Sequence, residues 1–221
     1  MLFRSGWPLA VTALARGGEQ LTPALGAELL AALSPAAQAE LTALALVDSV
    51  PTAVVDDGPV GDELRRFAAR HPGAFDLDSH RLALRALLRA ALSGEPDAGV
   101  ADDLADRLER HGELATALVM LSRTTGARSA LQDRLRTVGL RLLDRGRFRL
   151  LHEVIGRIPA RDRRADVLVL DAAARLGLQQ LEHINDDLAI SDESLLALEE
   201  RDDLDDDLRL AIAGLRTDVL R

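Results

Sequence analysis

The chain has 221 residues, a mass of 23.8 kDa and a hydrophobic fraction of 48%, enough for one large globular domain or two small ones. It contains no Cys, Tyr or Lys, so all 27 basic residues are Arg, and disulfides, thiolate metal sites, cysteine nucleophiles, Schiff bases and a phosphate-loop lysine are excluded. Residues 182–221 hold 13 acids and 4 Arg, leaving 36 − 13 = 23 acids and 27 − 4 = 23 Arg before them, and the overall charge of −9 disfavours general nucleic-acid binding.

At the N-terminus, Arg4 and Trp7 to Ala15 have the look of a very short secretory signal. No apolar run reaches the ~18–20 residues that span a bilayer, and the expected compartment is the cytoplasm. Thr22-Pro23 and Ser34-Pro35 each place an N-cap hydroxyl before a proline at the first helical position. Leu25, Leu29, Leu30 and Leu33 stripe the first predicted helix, and Leu41 and Leu44 the second. Val50, Val54 and Val55 stand among Pro51, Gly58, Pro59 and Gly61, which predicts a loop or one short strand. Asp62 opens a helix that His71-Pro72-Gly73 ends, Phe75 and Leu77 alternate with Asp76 and Asp78 as an extended segment, and Leu82 to Leu92 predicts a helix. Three helices with a small extended element near the third are the pattern of a winged-helix unit.

Ser93 to Gly99 (SGEPDAG) is the linker candidate. Beyond it a repeat emerges. Arg107-Leu108 with Gly112 matches Arg141-Leu142 with Gly146 at one constant offset, and Gly177 after Leu176 suggests a looser third copy. Each glycine is expected to end one amphipathic helix and let the next fold back. The offset, about 34 residues, is the tetratricopeptide period, although that consensus is missing. Leu204, Leu208, Ala211, Ile212, Leu215 and Val219 form one stripe, so the acidic C-terminal helix is expected to dock on something. The fold expected is all-α with one short β element. An arm helix and winged-helix-like domain occupy 1–92, a linker 93–99, and tetratricopeptide-like hairpin repeats with acidic C-terminal helices 100–221.

Catalytic signatures are missing. His71, His80, His111, His152 and His183 make no ligand pair, and His152-Glu153 lacks the second His of a zinc helix. Asp203, Asp205 and Asp207 begin like a calcium loop, but Leu208 stands where glycine is needed, so they read as an acidic helix start. No phosphate loop, nucleophile elbow or dinucleotide fingerprint occurs. No catalytic residue, metal or cofactor is therefore assigned.

Several segments, in order, resemble the middle of MalT-type regulators, the large LuxR-family members of the STAND signal-transduction ATPases. Gly6-Trp7-Pro8-Leu9-Ala10 looks like the Gly-x-Pro motif that follows their NTPase core. Glu28 to Pro35 (ELLAALSP) resembles the opening of their winged-helix part, and Ser79-His80-Arg81-Leu82 the His-containing start of the helix that closes it. Gly146 followed by Leu150, Leu151, Ile155, Ile158 and Pro159 looks like the first repeat hairpin. The resemblance covers roughly residues 5–180 and implies that Pro8 would lie against a nucleotide where an NTPase partner is present. Neither the NTPase core nor the C-terminal helix-turn-helix is found, so ATP hydrolysis and direct promoter binding do not carry over. The resemblance implies either a piece of a longer regulator or a standalone descendant.

The expected function is a non-catalytic protein-interaction or signal-sensing module with a protein or peptide on the concave face of its repeats. Arg134 to Arg164 contains ten Arg against Asp144, Glu153 and Asp162, and Arg145, Arg147, Arg149 and Arg157 are the candidate partner contacts. The alternative for these four is pairing with the chain's own acidic tail. A second reading is a DNA-associated or nucleotide-responsive regulator whose recognition helix presents Arg81, Arg85 and Arg89 at spacings of four, although DNA binding by this chain alone is not expected.

Overall fold

The structure is a computed structural model that describes residues 22–78, 80–92, 94–182, 192–201 and 204–219. Twelve α-helices and one three-stranded sheet lie among them, an all-α architecture with a short β element. The chain divides into two compact units, 1–126 and 127–221, and the 93–99 segment lies inside the first.

In the first unit, helix α1 (Thr22–Leu30) is followed by α2 (Pro35–Leu44), strand β1 (Val50–Pro51), α3 (Thr52–Asp56), α4 (Gly61–Arg70), β2 (Phe75–Leu77), β3 (Arg81–Leu84) and α5 (Ala86–Ala91). The hairpin of α6 (Ala98–Arg110) and α7 (Leu114–Ser122) completes it. Helix α2 starts as its sequence predicts: Ser34 is extended, its Oγ accepts from the Ala37 N–H, and Pro35 occupies the first turn. The sheet order is β1-β3-β2, all antiparallel, with Val50 opposite Leu82 and Phe75 opposite Leu84. From α2 to β3 the order is helix, strand, helix, helix, strand, strand, the order of a winged helix.

Two local readings need correction. Residues 52–56, expected as loop or strand, form the short helix α3, which buries Val54 and Val55 together. The predicted helix over 82–92 begins late, at Ala86. Residues 81–84 pair as β3 between β1 and β2, burying Leu82 and Leu84 on one face, and only Ala86–Ala91 are helical. Sheet pairing and burial here outweigh local helical spacing.

The second unit holds α8 (Arg128–Asp144), α9 (Phe148–Gly156), α10 (Ala165–Glu182), α11 (Asp192–Glu199) and α12 (Asp206–Val219). The two glycines read as helix breakers have that role. Gly112 has φ +79° and Gly146 φ +67°, the left-handed conformation that glycine adopts without a Cβ clash. Both turns close with the same two bonds. The Gly112 N–H donates to the Glu109 carbonyl and the Glu113 N–H to Leu108; the Gly146 N–H donates to Leu143 and the Arg147 N–H to Leu142. This is the Schellman motif, and it satisfies carbonyls that a helix end leaves orphaned.

Gly177 does not continue the series. It lies inside α10, where a Cβ would meet the Phe148 ring at 2.7 Å, so its glycine serves close packing rather than a turn. Gly139 on α8 likewise admits Leu170 of α10, with its Cδ1 2.5 Å from where a Cβ would stand. The acidic C-terminal helix does dock: Ile212 and Leu204, with Leu195 of α11, are buried against Ala165, Val169 and Ala172 of α10. Leu208 and Leu215 pack beside them, whereas Ala211 of the predicted stripe is exposed and Val219's side chain is outside the described set.

Candidate functional site: a basic hairpin tip

Arg145, Arg147 and Arg149 come together where α8 turns into α9. Arg145 is the C-cap of α8, Arg147 the N-cap of α9, and Arg149 lies in the first turn of α9; all three are exposed. Arg157 is not part of this group. It caps the far end of α9, about 13 Å along the axis at 1.5 Å per residue. Arg149 already takes part in an interaction within the chain. Pro8, the position assigned to a nucleotide contact by resemblance, lies outside the described residues, as do Gly6 and Trp7.

The electrostatics of the tip are best seen against its counterpart. At the matching position of the first hairpin, directly after the turn glycine, stands Glu113, the N-cap of α7. An acid there faces the positive end of the helix dipole, which is favourable. Glu113 also accepts from Arg81 Nη1 at 2.6 Å and from Thr116 Oγ1 at 2.9 Å, and the Arg81 bond above all holds its carboxyl below the usual glutamate range. Arg147 instead puts a cation at the same end of α9; neither residue caps its helix with a side-chain bond. Two further cations, Arg145 and Arg149, surround it. The helix gains nothing from this charge, whereas an anion at the tip would meet the dipole and the arginines together.

The acidic tail has ion pairs of its own. Arg216 Nη1 of α12 is 2.9 Å from Glu199 Oε2 of α11, and Asp205 Oδ1 accepts from the Leu208 N–H at 2.9 Å, so Asp205 is the acidic helix start that its spacing suggested. Asp203 lies outside the described residues. The other arginines of the basic stretch include several used locally: Arg164 pairs with Asp133 and Arg163 with Asp171. Asp171 is buried, and its Oδ1 is 3.0 Å from His152 Nδ1, so His152 has a structural partner in place of the zinc-helix role its sequence began.

Arg81, Arg85 and Arg89 do not form a recognition face. Arg81 is on β3, Arg85 is the N-cap of α5, and only Arg89 is within a helix. Arg81 donates to the Ser49 carbonyl and to Ser49 Oγ, and Arg89 donates to the carbonyls of Ala45, Val47 and Asp48. Arg123 of the α7 C-cap takes the Leu46 carbonyl, so three guanidinium groups bond five consecutive carbonyls from Ala45 to Ser49, just past the end of α2. No sequence signal marks this cage, because its partners are backbone oxygens far away in the chain.

A second polar feature is also invisible in the sequence. Arg107 of α6 and Glu40 of α2, 1% and 2% exposed, form an ion pair with Nη1 to Oε1 at 2.9 Å, and Nη1 also donates to the Val54 carbonyl at 2.8 Å. Asp103 lies 3.3 Å from Arg107 Nε. Gly58 leaves the space: a Cβ there would stand 2.1 Å from Arg107 Nη1. Comparison with known protein families, with curated proteins and with solved structures finds no match for this chain.

Proposed function

We propose that the chain is a non-catalytic protein-interaction or signal-sensing module that presents the α8–α9 tip to an anionic segment of a protein or peptide partner. The observation that carries this reading is the charge reversal between equivalent turns. Glu113 occupies the N-cap of the first hairpin, whereas Arg147, flanked by Arg145, occupies that of the second, where a cation works against its own helix. Arg145 and Arg147 are therefore the contacts assigned, with Arg149 beside them and Arg157 outside the group. The winged-helix element order followed by glycine-broken hairpins is in keeping with kinship to the arm of MalT-type regulators, and a cytoplasmic setting would follow from that kinship. Among the described residues no helix is long and apolar enough to cross a membrane. The DNA reading loses support because Arg81 and Arg89 are occupied by the chain's own carbonyls.

Proximity labelling with the wild-type chain and with an Arg145→Gln/Arg147→Gln double variant tests the proposal. Partners enriched by the wild type fall to background with the double variant. Once purified, such a partner binds the wild type at least about tenfold more weakly at high salt than at low salt, as charge complementarity requires. Enrichment that is the same for both chains overturns it.

A further inference from the structure

A cavity of about 350 Å³ opens in the first unit between α4 and the turn joining α1 to α2. Three basic side chains line it, Arg66, Arg70 and His71, and Phe67, Ala32 and Leu33 provide its apolar part. Glu63, Arg66 and Arg70 follow at spacings of three and four, so they share one helical face.

Glu63, the one acid in that lining, is already committed. Its Oε1 accepts the Ser34 N–H and its Oε2 the Ser34 hydroxyl, both at 2.7 Å. These bonds, the backbone one first, hold its carboxyl below the ordinary glutamate range, with a smaller contribution from Arg66. Arg65, the neighbouring arginine on α4, turns to Asp56, with Nη2 2.6 Å from Oδ1. Arg66 and Arg70 are exposed and make no ion pair with another described residue. Two positive charges against one occupied carboxylate leave the cavity net positive. The His71 ring is tilted against Phe67, with centroids 4.8 Å apart, and Phe67 meets Phe75 edge-on at 5.8 Å.

We infer that this cavity binds a small organic anion, with a phosphate or carboxylate head held by Arg66 and Arg70 beside His71 and an apolar portion against Phe67, Ala32 and Leu33. Arginine's planar fork suits both oxyanions, and the volume fits one small molecule at the lower end of ligand-pocket sizes. A nucleic-acid backbone is the poorer occupant, because the chain is acidic overall and Arg65 is neutralised.

Titration of the full chain with phenyl phosphate and with benzoate, followed by amide chemical shifts, tests the inference. Saturable 1:1 binding is expected for at least one probe, with shifts centred on α4 and residues 31–34, and the tighter probe identifies the head group. Arg66→Gln and Arg70→Gln should each weaken binding by about tenfold or more, whereas Arg65→Gln leaves it unchanged. Ala32→Phe, which fills the cavity without altering charge, should abolish it while the amide spectrum keeps its folded dispersion. No saturable binding of either probe, binding indifferent to Arg66→Gln and Arg70→Gln, or a duplex oligonucleotide bound through these arginines while both probes fail would each overturn it.

Discussion

Gly58 shows how one missing Cβ can set the polar interior of the first unit. Arg107 cannot approach Glu40 and the Val54 carbonyl if any side chain stands at position 58, since the nearest atom is a charged nitrogen 2.1 Å away. Gly58→Ala should therefore destabilise the chain by about 2–3 kcal/mol, measured by chemical denaturation. Glu40→Ala removes the buried carboxylate partner of Arg107, leaving it the Val54 carbonyl and the exposed Asp103, and should cost about 3 kcal/mol, whereas a Glu40→Met/Arg107→Met double variant should recover most of that. A double variant as unstable as Glu40→Ala would show that the charges are needed in themselves. Glu113 has a different signature. Its carboxyl is held below the ordinary range by Arg81, so its contribution is full above about pH 4.3 and is lost as pH falls through its own lower value. Thermal melts of wild type and Glu113→Gln should differ most near neutrality and converge on acidification below about pH 4; a constant gap would assign the difference to packing.

At the scale of single elements, Arg89 does the work of several helix caps. One guanidinium reaches the carbonyls of Leu84, Ala45, Val47 and Asp48, joining α5 to the end of α2. Lysine keeps the charge but not the planar fork, so Arg89→Lys should lower stability by about 2–3 kcal/mol, and a melt unchanged from wild type would refute the assignment. What was legible in the sequence was whatever is decided locally: Ser34-Pro35 starting α2, the arrest of α4 before His71-Pro72-Gly73, and the left-handed glycines at 112 and 146. What stayed hidden was decided at long range. Leu82 and Leu84 suit helical spacing as well as alternation, and only the flanking strands select β3. Gly177 has the same letters around it as a turn glycine, yet it answers to the ring of Phe148 from another helix. Of the four arginines proposed as one contact, three flank the Gly146 turn and so cluster, while Arg157 is a helix length away, a separation that sequence proximity conceals.

For the molecule as a whole, the division after Gly126 says which helices share a core. The first hairpin belongs with the sheet-containing part, since α6 packs on α2 through the Arg107–Glu40 pair, inside a core that includes Leu41, Leu104 and Leu108. The second unit has a core of its own, from Leu131 and Leu135 through Leu151 and Ile155 to Ile212. Residues 127–221 expressed alone should accordingly give a helical circular-dichroism spectrum and a cooperative melt, and a gradual, featureless melt would deny the unit its independence. The twin glycine turns carry a consequence for how such a chain can lengthen or shorten. Both are closed by the same pair of backbone bonds, so the joint is interchangeable. A splice from the last turn of α6, which carries the Leu108 carbonyl, into the Gly146 turn meets an identical bonding pattern, and the reverse splice adds a copy of the intervening segment. Insertion and deletion of one whole glycine-to-glycine step thus need no new stereochemistry at the seam.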